Sequence, residues 1–548
     1  MTLKVLAARL AAGAALALSA GTPAWAEFHA HSAEDAAIEL VLAGRHETGV
    51  FQQSAAEIVA FDAASQRAFV VNAASGEVDV LDLSDPTSPQ RLSTISVAGL
   101  GAEVNSVAVH DGLVAVAVQP ENATDNGRAA FYDVDGNFLS SVEVGALPDA
   151  LTFSPDGRHV LVVNEGEPRE DYAVDPEGSI SIIDVSGGAD SLVQDDVRTA
   201  DFRAFNGRED ELRAQGVRIF GPGASAAQDF EPEWVEVASD NVTAYASLQE
   251  NNAIAVIDIL SATVRHVWPL GFKDWREEGE WSGAGFDASR EGAIDIRHWP
   301  VFGIHMPDTI RLFETGGETY IVTANEGDAR AYDEDGWWLE EFKVSDLRLD
   351  PDAFPNAEEL QDKGALGGLL VTSTLGVAND CNPSLTTAQA KEAGYDDIAG
   401  YVSAECVYDA LYTFGGRSFS LFRVGEDGLE KVFGSGSDFE EITAELFPEH
   451  FNADHRHREV QLKRRSVNKG PEPEGVALGE IDGRTYAFIG LERVGGAIVY
   501  DITEPAEASF VTYVNSRDFT VGDDEAAQTR TDLGAEGLAF VPAGESPD

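Results

Sequence analysis

The chain has 548 residues with 96 acidic and 37 basic side chains, a formal net charge of −59. That balance excludes nucleic acid as a partner, because neutralising phosphates needs clustered Lys and Arg. It describes a well-solvated surface that attracts cations. Two cysteines are too few for a disulfide scaffold. In an oxidising compartment Cys381 and Cys406 would close one loop, worth roughly 3 kcal/mol of chain entropy, but the sequence leaves two separate thiols equally open.

Lys4 and Arg9 precede an apolar stretch over 10–20, and Ala24-Trp25-Ala26 supplies a small-x-small cleavage pattern. The segment 1–26 therefore predicts a signal peptide, with the mature chain starting at Glu27. It is too short to cross a bilayer, and no later apolar run is long enough. The expectation is an exported protein, periplasmic or extracellular, monomeric and without a membrane span.

Beyond the leader the sequence repeats itself. Strand-like runs end in apolar-apolar-Asp-apolar at Asp82, Asp133, Asp184, Asp258 and Asp501. The first three aspartates are 51 residues apart, since 133 − 82 and 184 − 133 are equal. Each unit reads as four short strands with Gly- and Pro-containing turns, "SPDG" at 154–157 among them. Such units are propeller blades. First strands are predicted at 57–61, 105–109, 149–153, 233–237, 308–312, 474–478 and 536–540, giving an all-β, seven-bladed β-propeller over 27–548. A β-sandwich array is the alternative, but similar units without linkers favour one closed ring. Insertions interrupt the spacing at about 186–228, 260–306 and 325–410, the first with a short helix at 207–216. The last blade is incomplete, because the chain ends soon after its first strand. The segment 37–49 is expected to supply an outer strand that closes the ring, and the missing strands point to a chain cut short.

In a propeller the start of each first strand and the end of each second strand meet at one mouth of the channel. Those positions carry Glu57, Asn105, Asp149, Glu233, Asp308, Glu474 and Glu536, and then Asn72, Gln119, Asn164-Glu165, Gln249-Glu250, Asn325-Glu326 and Glu492. Converging hard oxygens suit a divalent cation, and Ca²⁺ tolerates irregular geometry best. The candidate ligands are Glu57, Asp149, Glu165, Glu233, Glu250, Asp308, Glu326, Glu474 and Glu536. The plain alternative is that these groups cap strand starts and bind water. The acid patches 167–177 and 328–341 read as loops over the mouth, and the Asp333-x-Asp335-Gly336 pattern fails as an EF-hand because Ala331 and Phe342 fall at its first and last ligand positions.

Basic residues concentrate at 450–475, best explained as an exposed charged loop. Arg417 and Lys469, with Asn164 and Asn325, are candidates for contacting a small anionic ligand at the mouth. Hydrolase, zinc-protease, Walker and CxxC signatures are absent from the sequence. The "HAH" of His29–His31 carries no mechanism.

The stretches "LPDALTFSPDGRHVLVVNEGEP" from Leu147, "LQENNAIAVIDI" from Leu248, "YIVTANEGDARAY" from Tyr320, "LYTFGGRSFS" from Leu411 and "KGPEPEGVALG" from Lys469 resemble the choice-of-anchor I domain family across nearly the whole mature chain. The resemblance implies a secreted propeller of the kind found among cell-surface glycoprotein-like proteins. Some of the family carry alkaline-phosphatase labels, implying a phosphoesterase, but no catalytic residue transfers. Two expectations follow: a non-enzymatic protein binding a ligand or cell-surface partner through a calcium-holding acidic face, or a calcium-dependent phosphoesterase in which a metal-bound water attacks phosphorus.

Overall fold

The inner strands of each repeat are apolar almost throughout. His159–Asn164 (HVLVVN) and Ser179–Asp184 (SISIID) bury nearly every residue, as strands covered on both faces must. The outermost strand of the first repeat, Gln90–Ser96, is exposed except at Ile95. The computed structural model describes residues 2–10, 28–50, 56–73, 75–169, 172–277, 284–332, 337–455, 461–521 and 532–547. The expected cleavage site, the Asp333-x-Asp335 pattern and residues 456–460 of the basic stretch lie outside them.

Six antiparallel meanders follow one another. Sheet 1 runs Val59–Asp62, Arg67–Asn72, Glu77–Asp82 and Gln90–Ser96, and sheet 2 runs Glu103–His110, Leu113–Gln119, Asn126–Asp133 and Phe138–Ala146. Sheet 3 is Pro148–Phe153, His159–Asn164, Ser179–Asp184 and Val197–Asp201; sheet 4 is Pro232–Val237, Thr243–Leu248, Ala253–Asp258 and Thr263–Pro269. Sheet 5 is Ile310–Thr315, Glu318–Asn325, Ser418–Val424 and Leu429–Gly434. Sheet 6 is Pro473–Ile481, Arg484–Leu491, Ala497–Asp501 and Ser509–Asn515, with His29–Ser32 as a fifth strand.

Neighbouring sheets share their cores in sequence, which makes them blades of a β-propeller. Phe69 and Val78 of sheet 1 pack with Val116 and Ala130 of sheet 2. Phe131 packs with Leu151 and Val160 of sheet 3, and Leu161 and Ile182 with Val235 and Ala246 of sheet 4. Tyr245 and Ile254 meet Ile321 and Phe422 of sheet 5, and Phe419 meets Ile489 and Tyr500 of sheet 6.

The junction between sheets 6 and 1 is built differently. Strand Ile38–Glu47 sets Ile38 and Leu40 on Tyr486, Val499 and Val511 of sheet 6, and pairs with Thr2–Leu10. The segment 532–541 lies beside it, with Phe540 stacked on Phe488. Residues 536–540 form no strand, contrary to the sequence expectation. The expected strand within 37–49 forms over Ile38–Glu47, pairing with Thr2–Leu10, and the N-terminal region also gives sheet 6 its fifth strand, His29–Ser32, which pairs with Ser509–Asn515.

An accessory layer grows from the long connections. Phe272–Asp274, Phe302–Ile304, Tyr412–Thr413, Leu370–Thr372 and Glu341–Lys343 form a five-stranded mixed sheet. Trp275, Phe286, Trp338, Leu366, Val402 and Tyr408 belong to the core beneath it. Cys381 and Cys406 are joined there by a disulfide, their Cα atoms 5.1 Å apart. The expected short helix is Glu209–Gln215, ended by Gly216 in the left-handed conformation.

Candidate acidic mouth of the propeller

A recurring local device aims the first-strand acids. Four of the six follow a proline: Pro148-Asp149, Pro232-Glu233, Pro307-Asp308 and Pro473-Glu474. The strand register slips just after the proline in sheets 3, 4 and 6, between Pro148 and Leu151, Pro232 and Val235, and Pro473 and Val476. Proline suits such a place because it has no N–H to give to the ladder. The bulge turns the next side chain out of the strand's alternation. In three of the four cases the preceding residue, Leu147, Met306 or Glu472, has a positive φ of 47°, 48° or 50°. That conformation costs about 1 kcal/mol or more for a residue with a Cβ.

The repeated Asn-Glu-Gly at the second-strand ends is a second device. Asn164 is fully buried, and its Nδ2 donates to Ser179 Oγ and Ser181 Oγ while Oδ1 accepts from Gly145 N. Asn325 does the same, with Nδ2 on Ser418 Oγ and Ser420 Oγ and Oδ1 accepting from Thr323. Each asparagine clamps the third strand to the second, so their amides are engaged inside the blade and not offered to a ligand. The glycines then turn the chain at φ 74° for Gly166 and 93° for Gly327. A Cβ on Gly327 would fall 2.2 Å from Gly415 N. Between clamp and turn, Glu165 and Glu326 are held at the mouth.

All nine predicted carboxylates lie in one electrostatic circuit. Burial, the larger cause, and neighbouring charge together raise most of them. Asp149 is pushed to about 7 by desolvation first, with Glu167 and Glu57 adding to it and a hydrogen bond from Glu233 opposing. Glu165, Glu233, Asp308, Glu474 and Glu536 are pushed well above the carboxylate range by burial, and then by one another and by Glu492, Glu250, Glu231 or Glu326. Glu250 rises to about 8, desolvation outweighing Arg330, and Glu326 to about 7, desolvation outweighing Lys469. Asp149, Glu233, Asp308, Glu326, Glu474 and Glu536 are half-buried, while Glu165 and Glu250 are buried.

Two triads of carboxylate oxygens come within 4.8 Å of one another: Glu326, Glu472 and Glu492, and Glu474, Glu492 and Glu536. Glu472 and Glu492 were not among the nine candidate ligands, although Glu492 is one of the mouth positions that the sequence marks. Glu472 sits one residue before the Pro-acid pair, and that proline was the signal available in the sequence. The first triad is ringed by cations. Lys469 Nζ lies 3.3 Å from Glu326 and 3.4 Å from Glu472. Arg493 Nε donates to Glu472 at 2.7 Å, as does Arg465 Nε. Burial alone would raise Glu472, but these three cations outweigh it and hold the carboxyl at about 2.

The remaining assignments divide. Lys469 does reach the mouth, engaged by carboxylates. Arg417 is 1% exposed, and its two terminal nitrogens are taken by Glu440, Asp287 O, Ser466 O and Asn468 O, which places it in a buried ion pair. Among its described residues the basic stretch is not an exposed loop: Lys463 is buried against Asp287 at 3.0 Å, and Arg465 is half-buried against Glu472. The acid patches are also more than loop covering. Glu167 and Asp328 press charge on the mouth, and Glu341 is pushed to about 7 by burial despite Lys469. Arg330, buried among Asp229 and Glu231, ties the 328–341 connection to sheet 4. Two surface cavities of about 540 and 420 Å³ lie in the accessory layer, the larger lined by Glu341 and Phe342, the other by Asp287 and Trp299.

The chain is similar to gigasin-3a of Magallana gigas, 31% identical over 148 residues, 26% of this chain and 51% of that protein. It is 26% identical over 254 residues to the mesenchyme-specific cell surface glycoprotein of Strongylocentrotus purpuratus, 43% of this chain and 30% of the relative. It thus spans about half the length of one relative and less than a third of the other. Among solved structures, Kuenenia stuttgartiensis hydrazine synthase aligns with a TM-score of 0.40 at 13% identity over 91% of each chain. The β-propeller domain of Myceliophteria thermophila Cps50 (Swd1) aligns with a TM-score of 0.39 at 9% identity, over 83% of this chain and 85% of that one. A family model matches residues 57–505, most of the chain, and the protein belongs to the choice-of-anchor I domain family.

Proposed function

We propose that this protein is an exported, surface-associated binding propeller whose acidic mouth holds divalent cations, Ca²⁺ foremost, and presents them to an anionic or hydroxyl-rich surface ligand. Buried carboxylate oxygens without hydrogen-bond partners carry this reading. Glu250 Oε2, Glu474 Oε2 and Glu492 Oε2 are each shut away from solvent with no donor. An unpaired buried carboxylate oxygen is costly, and a divalent ion supplies the missing partner while removing the mutual repulsion of the ring. The cell-surface character of a relative supports a role at a surface, with the ion's open coordination positions as the point of attachment.

The phosphoesterase alternative gains nothing from Arg417 or Lys469, because both are engaged by protein carboxylates. The reading is tested with purified full-length protein by calorimetric titration with Ca²⁺, and by retention on beads bearing anionic or neutral glycans in Ca²⁺ against EDTA. Calcium binding with chelator-sensitive retention is expected. Absence of Ca²⁺ binding would overturn it, and chelator-sensitive hydrolysis of p-nitrophenyl phosphate would favour the enzyme.

A further inference from the structure

The second glutamate triad joins three separate parts of the chain. Glu474 begins the first strand of sheet 6, Glu492 follows its second strand, and Glu536 lies on the strandless segment near the C-terminus. That segment occupies the junction between sheets 6 and 1. Its backbone is pressed against both sides: a Cβ on Gly475 would fall 1.9 Å from Glu536 O, and one on Gly537 would fall 2.5 Å from Glu57 O. No sheet ladder fixes it there. The triad's oxygens lie within 4.8 Å of one another, about twice a Ca²⁺–oxygen distance of about 2.4 Å.

A cluster of acids alone would mean little, but Glu492 supplies an independent observation. It is 8% exposed. Its Oε1 takes Arg493 at 2.7 Å and His455 at 3.4 Å, while its Oε2 is buried without a hydrogen-bond partner, as is Oε2 of Glu474. The two triads together set five carboxylates, Glu326, Glu472, Glu474, Glu492 and Glu536, against Lys469, Arg465 and Arg493, which leaves two negative charges, the charge that one divalent ion balances. Carboxylates from three elements, with water completing the shell, form an irregular oxygen set that Ca²⁺ accommodates and Mg²⁺ does not favour.

We infer that Glu474, Glu492 and Glu536 together hold one divalent cation, Ca²⁺ fitting best, and that this ion fastens the 532–541 segment across the junction between sheets 6 and 1. The inference rests on the cation-binding reading of the mouth and adds where the ion sits and what it closes. The neighbouring triad takes no ion, because Lys469, Arg465 and Arg493 already neutralise it.

The test uses full-length protein, with Tb³⁺ luminescence and calorimetric Ca²⁺ titration on wild type, Glu474→Gln, Glu536→Gln and a control, Glu480→Gln, exposed near the other end of Glu474's strand. Hydrogen exchange of residues 534–540 is followed with Ca²⁺ and with EDTA. Both triad variants are expected to lose one bound ion or weaken it at least tenfold, and Glu480→Gln to keep it. Wild type should protect 534–540 in Ca²⁺ and lose that protection in EDTA, a readout independent of whether a variant folds. Wild type that binds Ca²⁺ without protecting 534–540, or triad variants that bind it unchanged, would overturn the inference and leave the mouth reading standing. No Ca²⁺ or Tb³⁺ binding by wild type would sink both.

Discussion

Two glutamate triads meet at Glu492 and have opposite electrostatics. In the first, Glu472 lies between Lys469, Arg465 and Arg493 and is held at about 2. In the second, Glu474 and Glu536 have no such escort, and burial and repulsion drive both well up. Two neighbouring clusters that share one glutamate thus differ in whether protein cations surround them. The lesson is that carboxylate density does not locate a cation site. What locates it is the charge left over once protein cations and hydrogen bonds have been assigned.

The largest effect that would break this comparison is Glu472→Gln. It strands Lys469, Arg465 and Arg493 near one another in a buried setting and is expected to cost about 3–5 kcal/mol in urea unfolding. Glu474→Gln in EDTA should cost far less or stabilise, because it removes repulsion. Equal losses in the two variants would erase the distinction between the triads.

The pH dependence should also divide in two. Asp149 and Glu326 are raised to about 7 and Glu250 to about 8, so the folded protein holds these protons more tightly than the unfolded chain. Metal-free protein is therefore expected to lose stability as pH climbs from about 4.5 to about 8, by about 1.4 kcal/mol per pH unit for each extra proton held. Glu472 has the opposite sign. Its contribution is present above about 4.5 and lost as pH falls towards about 2. Melts in EDTA across this range check both limbs, and saturating Ca²⁺ should flatten the upper one.

The smallest change sharpens the contrast further. Lys469→Met removes one counter-ion from the first triad at a cost of about 1–2 kcal/mol, and should raise the calorimetric Ca²⁺ stoichiometry by one. An unchanged stoichiometry would mean that charge balance is not what keeps the first triad free of metal.

The fold and the ring of acids were legible because both follow from periodic local features. Apolar runs ending in Asp, "SPDG" turns and the 51-residue repeat mark the blades, and topology then brings Asp149, Glu233, Asp308 and Glu474 to one end. Side-chain roles were less legible. Asn164 and Asn325 looked like ligand contacts, yet they clamp strands through serines 15 to 95 residues away. Arg417 looked like an anion donor until Glu440 appeared beside it. Arg330 finds Asp229 across 101 residues, and no local pattern announces such a pairing. The Pro-acid dipeptides were visible throughout, but their meaning depends on a bulge that only the register reveals.

The fifth strand of sheet 6 bears on how the molecule is made. Ser32 Oγ and Thr512 Oγ1 are 2.9 Å apart and separated by 480 residues in sequence. Loop-closure entropy grows only logarithmically with length, so this contact is not much costlier at equilibrium than a shorter one. Its cost is in time. A chain synthesised from its N-terminus carries His29–Ser32 unpaired until Ser509–Asn515 has emerged, so sheet 6 is completed only after some 480 further residues have been made.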